Sequence, residues 1–453
     1  MKSINPYSGE LLQEFQDHTE EQVENAIKNG QSAYLSWRST PLSERASLMG
    51  KAAEVLRSRK EKYAKIISLE MGKVITESRS EVEKCAMVCD YYAEKSEEFL
   101  ADEPIELPDG AKAKRVFDPL GIVLAVMPWN FPFWQVFRFA APNLTAGNVG
   151  LLKHASNVPQ CSLAIEEVFT EAGFPAGVFQ SLLIGSDKVE KILQHPHVKA
   201  ATLTGSEKAG EMIASQAGAE IKKTVLELGG SDPFIVLKDA DISKAAETAA
   251  KARMINFGQS CIAAKRFIVE EEVYDEFLGK FKAAIEDYKA GEPLDEDAGY
   301  ACMARPDLAE ELYQQVKKSV DLGAKVILEG MEPEEGKAFF KPIILAELTP
   351  DMPAYSEELF GPVASVFKVK NEQEAVSIAN SSVYGLGSSL WTNDLDKGER
   401  ISRQIESGAV FINSMVASNP HLPFGGIKKS GYGRELSVDG IREFMNIKTV
   451  YLG

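Results

Sequence analysis

Residues 121–156 read GIVLAVMPWNFPFWQVFRFAAPNLTAGNVGLLKHAS, and this stretch decides the fold class. Its first part, residues 121–127, is a short apolar run of strand length, and residues 149–153 form a second one. The segment 134–144 between them is typical of a helix. A strand, a helix and a strand in this order predict a βαβ unit, in which the two strands are parallel.

The same alternation continues towards the carboxyl end. Further strands are predicted at residues 178–184, 200–204 and 223–228, with helices at 158–172, 187–195 and 207–216. A second series begins at Pro233, with strands predicted at 267–269, 326–328, 363–367 and 409–412. Strands that alternate with helices predict an α/β fold with a mainly parallel sheet.

The segments outside this alternation have a different pattern. Helical spacing of apolar residues, with charges between them, predicts helices at 20–38, 41–60, 61–71 and 77–99. Asp109-Gly110 lies between extended runs and predicts a hairpin within residues 101–118. A last strand is predicted at 448–453.

The composition argues against some classes of partner. The chain of 453 residues has a formal net charge of −17, with 44% hydrophobic and 26% charged residues. So acidic a surface disfavours nucleic acid or an anionic membrane as the main partner. No window reaches the roughly 18 unbroken apolar residues of a membrane span, and the first residues lack the apolar core of a secretory signal. Five cysteines are too few for a disulfide framework in so long a chain, which predicts a cytoplasmic location.

One cysteine is a candidate nucleophile. Gly258-Gln-Ser-Cys261 ends a helical run at residues 242–257, and the glycine permits a sharp turn that can present a sulfur atom. Most lone cysteines are instead small core residues, so this tetrad alone leaves both interpretations open. Core packing is the better account of the other four, because no cluster of His, Asp or Glu completes a metal site near Cys85 and Cys89, and nothing distinguishes Cys161 and Cys302.

Several motifs taken together carry more information than any one of them. In chain order they are Pro128-Trp-Asn-Phe-Pro132, Lys153, Thr204-Gly-Ser206, Glu227-Leu-Gly-Gly230, Gly258-Gln-Ser-Cys261, Glu358-Leu-Phe-Gly-Pro362, Pro423-Phe-Gly-Gly426 and Ser430-Gly-Tyr-Gly-Arg434. This ordered set resembles the aldehyde dehydrogenase superfamily over essentially the whole chain. Within it the chain looks most like the shorter succinate-semialdehyde dehydrogenases, particularly through residues 130–138, NFPFWQVFR.

The resemblance implies a three-part architecture. A Rossmann-type cofactor-binding domain comprises residues 1–101 and 119–232, and an α/β catalytic domain comprises residues 233–433. A β oligomerisation arm comprises residues 102–118 and 434–453. Because an exposed arm needs an edge to pair with, a homodimer or a dimer of dimers is expected.

The resemblance also implies the catalytic residues. A thiolate at Cys261 adds to an aldehyde carbon, and the side-chain amide of Asn130 with the backbone N–H of Cys261 stabilises the oxyanion. Loss of hydride leaves a thioester, and Glu227 activates the water that hydrolyses it. Without the neighbouring motifs, Glu227 would be interpreted as a carboxylate at a strand end and Asn130 as a turn residue.

The cofactor site lacks the ordinary G-x-G-x-x-G fingerprint. In the resembled family Gly205 and Ser206 lead into a helix whose N-terminus suits the pyrophosphate. The resemblance further assigns Trp129, Lys153, Glu358 and Phe360 to the cofactor; the alternatives are a solvated lysine, a surface carboxylate and core aromatic residues.

The nucleotide preference is predicted from a single position. NAD-preferring relatives often carry a glutamate three residues after the lysine, whereas this chain has Ser156. A glutamate would repel a 2′-phosphate, while serine can form a hydrogen bond with it and Lys153 can pair with it. NADP is therefore the expected cofactor, with NAD also possible. His154 replaces a proline that is usual there, which leaves the shape of this loop open.

A substrate site is predicted around Arg138. This is the one charged residue in an apolar helix, and a buried guanidinium is costly unless it is paired. It could bind a substrate carboxylate or extend to the surface. The resembled enzymes place an arginine here, and Trp134, Ser260 and Ser418 fall where other substrate contacts would lie. Some longer members carry a second arginine six residues before the cysteine, where this chain has Ile255.

The expected activity is oxidation of a small aldehyde, foremost succinate semialdehyde to succinate. Glutarate semialdehyde or an aliphatic aldehyde is the alternative substrate. An acyl transferase would share the thioester step, and a non-catalytic relative would keep only the fold. The presence of Asn130, Glu227 and Cys261 together argues against the last.

Overall fold

The computed structural model describes all 453 residues. The first half of the chain folds into β1 (Lys2–Ile4), β2 (Leu11–Glu14), α1 (Glu20–Trp37), α2 (Leu42–Ser58), α3 (Lys60–Met71), α4 (Ile75–Phe99), β3 (Glu103–Glu106), β4 (Lys112–Pro119), β5 (Ile122–Met127), α5 (Trp134–Thr145), β6 (Val149–His154), α6 (Pro159–Glu171), β7 (Phe179–Ser181), α7 (Val189–Gln194), β8 (Val198–Thr204), α8 (Glu207–Ala219) and β9 (Lys223–Glu227).

The second half is also an alternation of helices and strands. It contains β10 (Pro233–Val236), α9 (Ile242–Met254), β11 (Arg266–Glu270), α10 (Tyr274–Glu286), α11 (Pro306–Asp321), β12 (Lys325–Leu328), β13 (Ile343–Ala346), α12 (Pro353–Ser356), β14 (Val363–Val369), α13 (Glu372–Asn380), β15 (Tyr384–Gly385), β16 (Gly387–Trp391), α14 (Leu395–Ser402), β17 (Ala409–Ile412), β18 (Ile427–Lys428), β19 (Gly431–Tyr432), α15 (Ser437–Glu443) and β20 (Met445–Leu452).

The first sheet has six strands in the order β19-β9-β8-β5-β6-β7. All neighbouring pairs are parallel except β19 with β9. From β5 the chain builds outward through β6 and β7, then returns to build β8 and β9 on the other side. The carboxyl ends of β5 and β8 therefore flank the point where the strand order reverses, which is where open α/β sheets bind ligands.

The second sheet has seven strands in the order β12-β13-β14-β11-β10-β16-β17, and only the β12–β13 pair is antiparallel. Its central strands are buried on both faces, which explains their continuous apolar character. Two parallel sheets covered by helices confirm the predicted α/β fold class. No helix is both long and apolar enough to cross a membrane.

The third sheet contains the hairpin and the C-terminal strand that the sequence predicts. The hairpin of β3 and β4 pairs with the C-terminal strand in the order β20-β4-β3, all antiparallel. The predicted arm boundary at residue 434 needs correction, because Leu436, Ile441 and Phe444 are buried in the core beside α4 and α5. The arm strand begins at Met445, and Gly431–Tyr432 of the predicted catalytic domain joins the first sheet instead.

Most predicted elements are confirmed within two or three residues at each end. The exceptions are short: the run at 178–184 contains only the three-residue strand β7, and the run at 187–195 begins with a 3₁₀ turn at Ser186–Lys188. The strands β10, β13 and β16, and the hairpin of β1 and β2, were not predicted. The helix predicted at 242–257 ends at Met254, for a reason that lies in the site itself.

Candidate active site

A cavity of about 310 Å³ opens at the reversal point of the first sheet. The residues after β5 and β8 form one side of it, and loops and helix α11 of the second unit form the other. Its lining includes seven of the residues singled out from the sequence: Trp129, Asn130, Gly205, Ser206, Cys261, Glu358 and Phe360. Motifs that are far apart in sequence therefore meet in one space.

Cys261 lies on a turn that the preceding backbone forces open. Asn256, Phe257 and Gly258 have φ values of 51°, 53° and 73°, so three consecutive residues are left-handed and α9 cannot continue. A Cβ on Gly258 would lie 2.4 Å from the carbonyl of Gly361, so only glycine fits there. The side chain of Cys261 is half-buried, whereas the other four cysteines are buried and all five are free.

The ammonium group of Lys265 lies directly beneath this turn. Its Nζ donates to the carbonyl oxygens of Ser260 and Cys261, both at 2.7 Å, and pairs with Oε1 of Glu358 at 3.1 Å. Burial raises the pKa of the Cys261 thiol to about 12, and the positive charge of Lys265 is the strongest influence in the opposite direction. Lys265 therefore both fixes the turn and favours the thiolate.

The side chain of Asn130 is held beside the cysteine turn. Its Nδ2 donates to the carbonyl of Gln259 at 3.0 Å, and its Oδ1 accepts from Nε2 of Gln135 at 3.1 Å. Asn256 binds the same loop from below, because its Nδ2 donates to the carbonyls of Asn130 at 2.7 Å and Gln259 at 2.9 Å. A short turn of the amide from Gln259 would present a donor to an oxyanion formed at Cys261.

The structure shows the shape of the loop at His154, which the sequence left open. It is buried at the end of β6, and its Nε2 lies 2.8 Å from the carbonyl of Pro132, while the N–H of Ala155 donates to Nδ1 at 2.9 Å. This pattern fits the Nε2-protonated neutral ring, and burial lowers the pKa of His154 to about 4. The imidazole thus ties β6 to the loop that carries Asn130.

Glu227 ends β9 and is only 1% exposed. Neither of its carboxylate oxygens has a hydrogen-bond partner within the chain. Burial raises the pKa of Glu227, and the negative charge of Glu435 raises it further, while Arg138 and Arg434 act against them. A Cβ on Gly425 would approach Glu227 Oε1 to 2.9 Å, so this glycine leaves the carboxylate its space. A buried, unpartnered carboxylate with a raised pKa has the properties of a general base.

The N-terminus of α8 borders the cavity and is free to bind an anion. Ser206 caps the helix by accepting from the N–H of Ala209, and the N–H groups of Glu207 and Lys208 make no hydrogen bond within the chain. A carboxylate on the opposite side is fixed as well, because Glu358 Oε1 accepts from the N–H of Gly230 at 3.1 Å. The residues present therefore fit a dinucleotide, with its pyrophosphate at the helix terminus.

Two of the residues assigned to the cofactor lie outside this cavity. Lys153 is on β6 opposite Val126 of β5, two residues before the cavity lining begins at Pro128. It is half-buried and has no carboxylate within 4 Å, and burial lowers its pKa. Ser156 is exposed on the turn that follows β6. Both lie at the carboxyl end of the strand next to β5, as an extended nucleotide requires.

Arg138 is buried on α5 and is already paired. Its Nε contacts Oε2 of Glu435 in an ion pair, its Nη2 donates to Oγ1 of Thr204 at 3.3 Å, and its guanidinium lies 4.6 Å from the ring centroid of Phe424. The sequence allowed a substrate carboxylate or the solvent as the partner of this charge. The structure provides a third one, a carboxylate of the chain itself.

Trp134 and Ser418 form a small polar cluster one turn from Arg138. The indole Nε1 donates to Oγ of Ser418 at 3.1 Å, and Lys84 Nζ donates to the same oxygen at 2.7 Å. The carboxylate of Glu81 fixes the start of this helix, since its Oε1 accepts from the N–H groups of Phe133 at 2.8 Å and Trp134 at 3.0 Å. Ser260, the remaining predicted substrate contact, is buried beside Cys261.

Three residues at the site were not singled out from the sequence: Lys84, Lys265 and Glu435. Lys265 lies four residues after the cysteine, and an isolated lysine at the start of a buried strand was an available signal. Lys84 contacts Ser418, which is 334 residues away, and Glu435 pairs with Arg138, which is 297 residues away (435 − 138), so no local pattern marks these contacts.

Known proteins resemble this chain throughout its length. The sequence model of the Aldehyde dehydrogenase family matches residues 1–450. A probable succinate-semialdehyde dehydrogenase [NADP(+)] of Synechocystis sp. is 48% identical over 450 residues, and a succinate-semialdehyde dehydrogenase [NADP(+)] of Mycobacterium leprae is 48% identical over 452, each alignment covering 99% of both chains. A crystal structure of succinic semialdehyde dehydrogenase from Streptococcus pyogenes, in complex with NADP+, superposes with a TM-score of 0.97 at 39% identity, covering 100% of this chain and 99% of that one.

The position of Lys265 predicts how fast the cysteine reacts. In Lys265→Met the charge that favours the thiolate is gone, so alkylation of Cys261 by iodoacetamide at neutral pH should slow about 10-fold, which corresponds to one unit of thiol pKa. Its rate should also rise at a higher pH than in the parent protein. Mass spectrometry locates the label, and the buried cysteines serve as internal controls.

Lys265→Arg is the matched control because it keeps the charge, and it should recover most of the rate. Equal alkylation rates and pH profiles for Lys265→Met and the parent protein would show that this lysine only fills space.

Proposed function

Because the chain belongs to the aldehyde dehydrogenase family, we propose that it oxidises succinate semialdehyde to succinate with NADP+, through a thioester on Cys261. The observation that carries the proposal is the single cavity in which Cys261 and Asn130 meet the free N-terminus of α8. The names of the relatives that are 48% identical over nearly the full length support the choice of substrate and cofactor.

The residues supply a complete sequence of steps. The Cys261 thiol gives its proton to solvent, and the thiolate, which the charge of Lys265 favours, forms a bond with the aldehyde carbon, giving a thiohemiacetal alkoxide. The amide of Asn130 and the N–H of Cys261 stabilise its oxyanion. NADP+, when bound, supplies the acceptor for the hydride that leaves this carbon. The remaining thioester is attacked by water, whose proton passes to Glu227, and the acid is released as the thiol is restored.

The raised pKa of Glu227 suits a general base that takes a proton from water. A carboxylate with an ordinary pKa of about 4.3 would be a weak base towards water, whereas a buried one holds the proton more strongly. Its missing hydrogen-bond partners leave both oxygens available to water. The carboxylate must be ionised to act, so turnover should rise as pH increases through the raised pKa of Glu227.

The preference for NADP+ is supported by the end of β6. Ser156 is exposed there, and the ammonium group of Lys153 has no carboxylate within reach. An uncompensated cation and an exposed hydroxyl group at the end of the same strand suit a 2′-phosphate, which is a dianion with several acceptor oxygens. The Streptococcus pyogenes enzyme, whose crystal structure was solved in complex with NADP+, agrees with this choice.

We further propose a homo-oligomer, assembled through the arm, and a cytoplasmic location. The outer edge of β20 is unpaired, and Ile447 and Tyr451 on it are 54% and 58% exposed. An unpaired apolar edge of eight residues favours pairing with another chain. Five free cysteines accord with a reducing compartment.

The substrate is tested by steady-state kinetics with succinate semialdehyde, glutarate semialdehyde and butanal, each with both cofactors. The highest kcat/KM is expected for succinate semialdehyde with NADP+. Glu227→Gln should retain a burst of about one NADPH per site, because the hydride step precedes hydrolysis, while the steady-state rate falls by roughly 10²- to 10⁴-fold. The rise of turnover with pH should disappear as well.

Cys261→Ala is the control that should abolish both the burst and the turnover. A higher kcat/KM for butanal would overturn the substrate assignment. Acyl transfer without formation of NADPH or NADH would overturn the oxidoreductase assignment.

The cofactor assignment is tested at one position. Ser156→Glu should raise KM for NADP+ by roughly 10-fold, equivalent to about 1.4 kcal/mol, because a carboxylate repels the 2′-phosphate. KM for NAD+ should stay the same or fall. Ser156→Ala removes a hydroxyl without adding charge and is the matched control. A lower KM for NAD+ than for NADP+ in the parent enzyme would contradict the assignment.

The assembly is tested by sedimentation equilibrium at micromolar concentration. The parent chain should have the mass of two or four copies, and Ile447→Asp should shift it towards the monomer by placing a charge on the arm edge. Ile221→Asp changes a residue that is 95% exposed and away from the arm, so it should leave the mass unchanged. A monomeric parent protein would refute assembly through this edge.

A further inference from the structure

Helix α4 carries two carboxylates that hold parts of the site, although neither of them lines its cavity. Glu77 and Glu81 are four residues apart, so they lie on the same face of the helix. Glu81 is only 4% exposed, and Glu77 is half-buried. A carboxylate that is removed from water is costly unless its oxygens accept hydrogen bonds, so the partners of these two residues matter.

Glu81 holds the start of α5, which begins four residues after Asn130. Its Oε1 accepts from the N–H groups of Phe133 at 2.8 Å and Trp134 at 3.0 Å. The first N–H groups of a helix have no partner inside it, and the residue before α5 supplies no side-chain cap. Glu81 therefore caps α5 from another helix, and its own charge is balanced by the buried ammonium group of Lys73.

Glu77 holds the turn that presents Cys261. Its Oε1 accepts at 3.0 Å from the N–H of Asn256, which is the first of the three left-handed residues after α9. Burial raises the pKa of Glu77, whereas the charge of Lys73 and the N–H of Asn256 act in the opposite direction. The contact joins residues that are 179 positions apart in the sequence, so α4 reaches the strained turn from the other half of the chain.

The two segments that α4 holds are those that carry the two oxyanion donors of the proposed reaction. One donor is the side-chain amide of Asn130, and the other is the backbone N–H of Cys261. Stabilisation by such donors depends on their geometry, because a misplacement of about 1 Å can cost roughly 10²-fold in rate. A single rigid helix that binds both segments therefore sets the spacing of the donors.

We propose that Glu77 and Glu81 are positioning residues that fix the spacing of the two oxyanion donors. The role of those donors rests on the proposed function. Asn256 completes the link between the segments, because its N–H donates to Glu77 while its Nδ2 donates to the carbonyl of Asn130 at 2.7 Å. Each carboxylate acts on the reaction only through the backbone that it holds.

The test compares two reactions of the same sulfur. 4-Nitrophenyl acetate acylates a thiolate through a tetrahedral oxyanion, whereas iodoacetamide alkylates it by displacement and forms no oxyanion. In Glu77→Leu the N–H of Asn256 loses its acceptor. The burst of 4-nitrophenolate should therefore slow by roughly 10- to 100-fold, while alkylation of Cys261 changes less than about 3-fold. Glu77→Gln keeps an acceptor oxygen at the same place and should recover most of the acylation rate.

Glu81 is tested by a double change, because its removal alone would leave the ammonium group of Lys73 buried without an anion. Lys73→Met combined with Glu81→Met removes both charges together and leaves the first N–H groups of α5 without an acceptor. The same selective slowing of acylation is expected. Glu83→Leu is the matched control, since Glu83 lies on the same helix and pairs only with Arg57 and Lys60 at the surface. It should leave both rates unchanged.

These measurements need neither an aldehyde nor a cofactor, so they separate the role of α4 from the proposed function. If the parent protein oxidises no aldehyde, the proposed function is wrong, and the ratio of acylation to alkylation still decides the role of Glu77 and Glu81. With succinate semialdehyde, Glu77→Leu should lower kcat and leave KM for NADP+ within about 2-fold of the parent value. This split is expected because the residue lies outside the cavity.

Equal slowing of acylation and alkylation in Glu77→Leu, or no slowing of either, would mean that the carboxylate only supports folding, and the proposal would be wrong. A parent protein with no burst beyond that of Cys261→Ala would refute it as well. Thermal unfolding shows whether each variant is folded. If Glu77→Leu does not fold, Glu77→Asp gives the same comparison, because its shorter side chain withdraws the acceptor without removing the charge.

Discussion

The left-handed backbone at residues 256–258 is the constraint on which the site depends. Asn256 and Phe257 are not glycines, and each such residue in this region costs about 1–3 kcal/mol. The conformation persists because the surroundings hold it: Arg253 Nη2 donates to the carbonyl of Gly258 at 2.7 Å, and Glu77 Oε1 accepts from the N–H of Asn256 at 3.0 Å. The same strain ends α9 and turns Cys261 towards the cavity.

This constraint also fixes the residues around the sulfur. The side chain of Asn256 binds the carbonyls of Asn130 and Gln259, so the strained turn and the loop that carries the amide donor are one hydrogen-bonded unit. Lys265 then joins the turn to Glu358 on the opposite side of the cavity. Because Cys261, Asn130 and Glu358 share these contacts, displacing one would move the others. Such preorganisation is what stabilises developing charge without rearrangement during the reaction.

Much of the fold could be predicted because the hydrophobic pattern is local. Strands such as Ile122–Met127 and Val149–His154 can be recognised from their apolar composition. The Thr204-Gly-Ser206 motif marks the change from strand to helix at the position where the structure has it. The short strand Gly387–Trp391 was not predicted because serines interrupt its apolar pattern. Pairing with β10 and β17 nevertheless buries the whole strand. The arm boundary was misplaced because burial of Leu436 and Phe444 depends on distant helices. The family motifs indicated the residues of the cavity, and the structure brings seven of them together.

The partners of buried charged residues could not be predicted from the sequence. Arg138 could be recognised as a buried cation, but its partner Glu435 is almost three hundred residues away, and only the fold brings them together. The distinction matters chemically, because a guanidinium neutralised by the protein contributes less to recognition of a substrate charge than a cation without an anion. Lys84 is such a cation, and nothing in its own helix distinguishes it from the solvated lysines nearby.

These features divide the site into two parts with separate physical origins. In the proposed reaction, the backbone geometry at Cys261, the amide of Asn130 and the carboxylate of Glu227 would act on the carbonyl group, which every aldehyde shares. Around Trp134 lies a cation without an anion, Lys84, whose Nζ donates to Ser418. A scaffold of this kind can change substrate by altering a few charges on α4 and α5, because the strained turn that performs the chemistry is built by other residues.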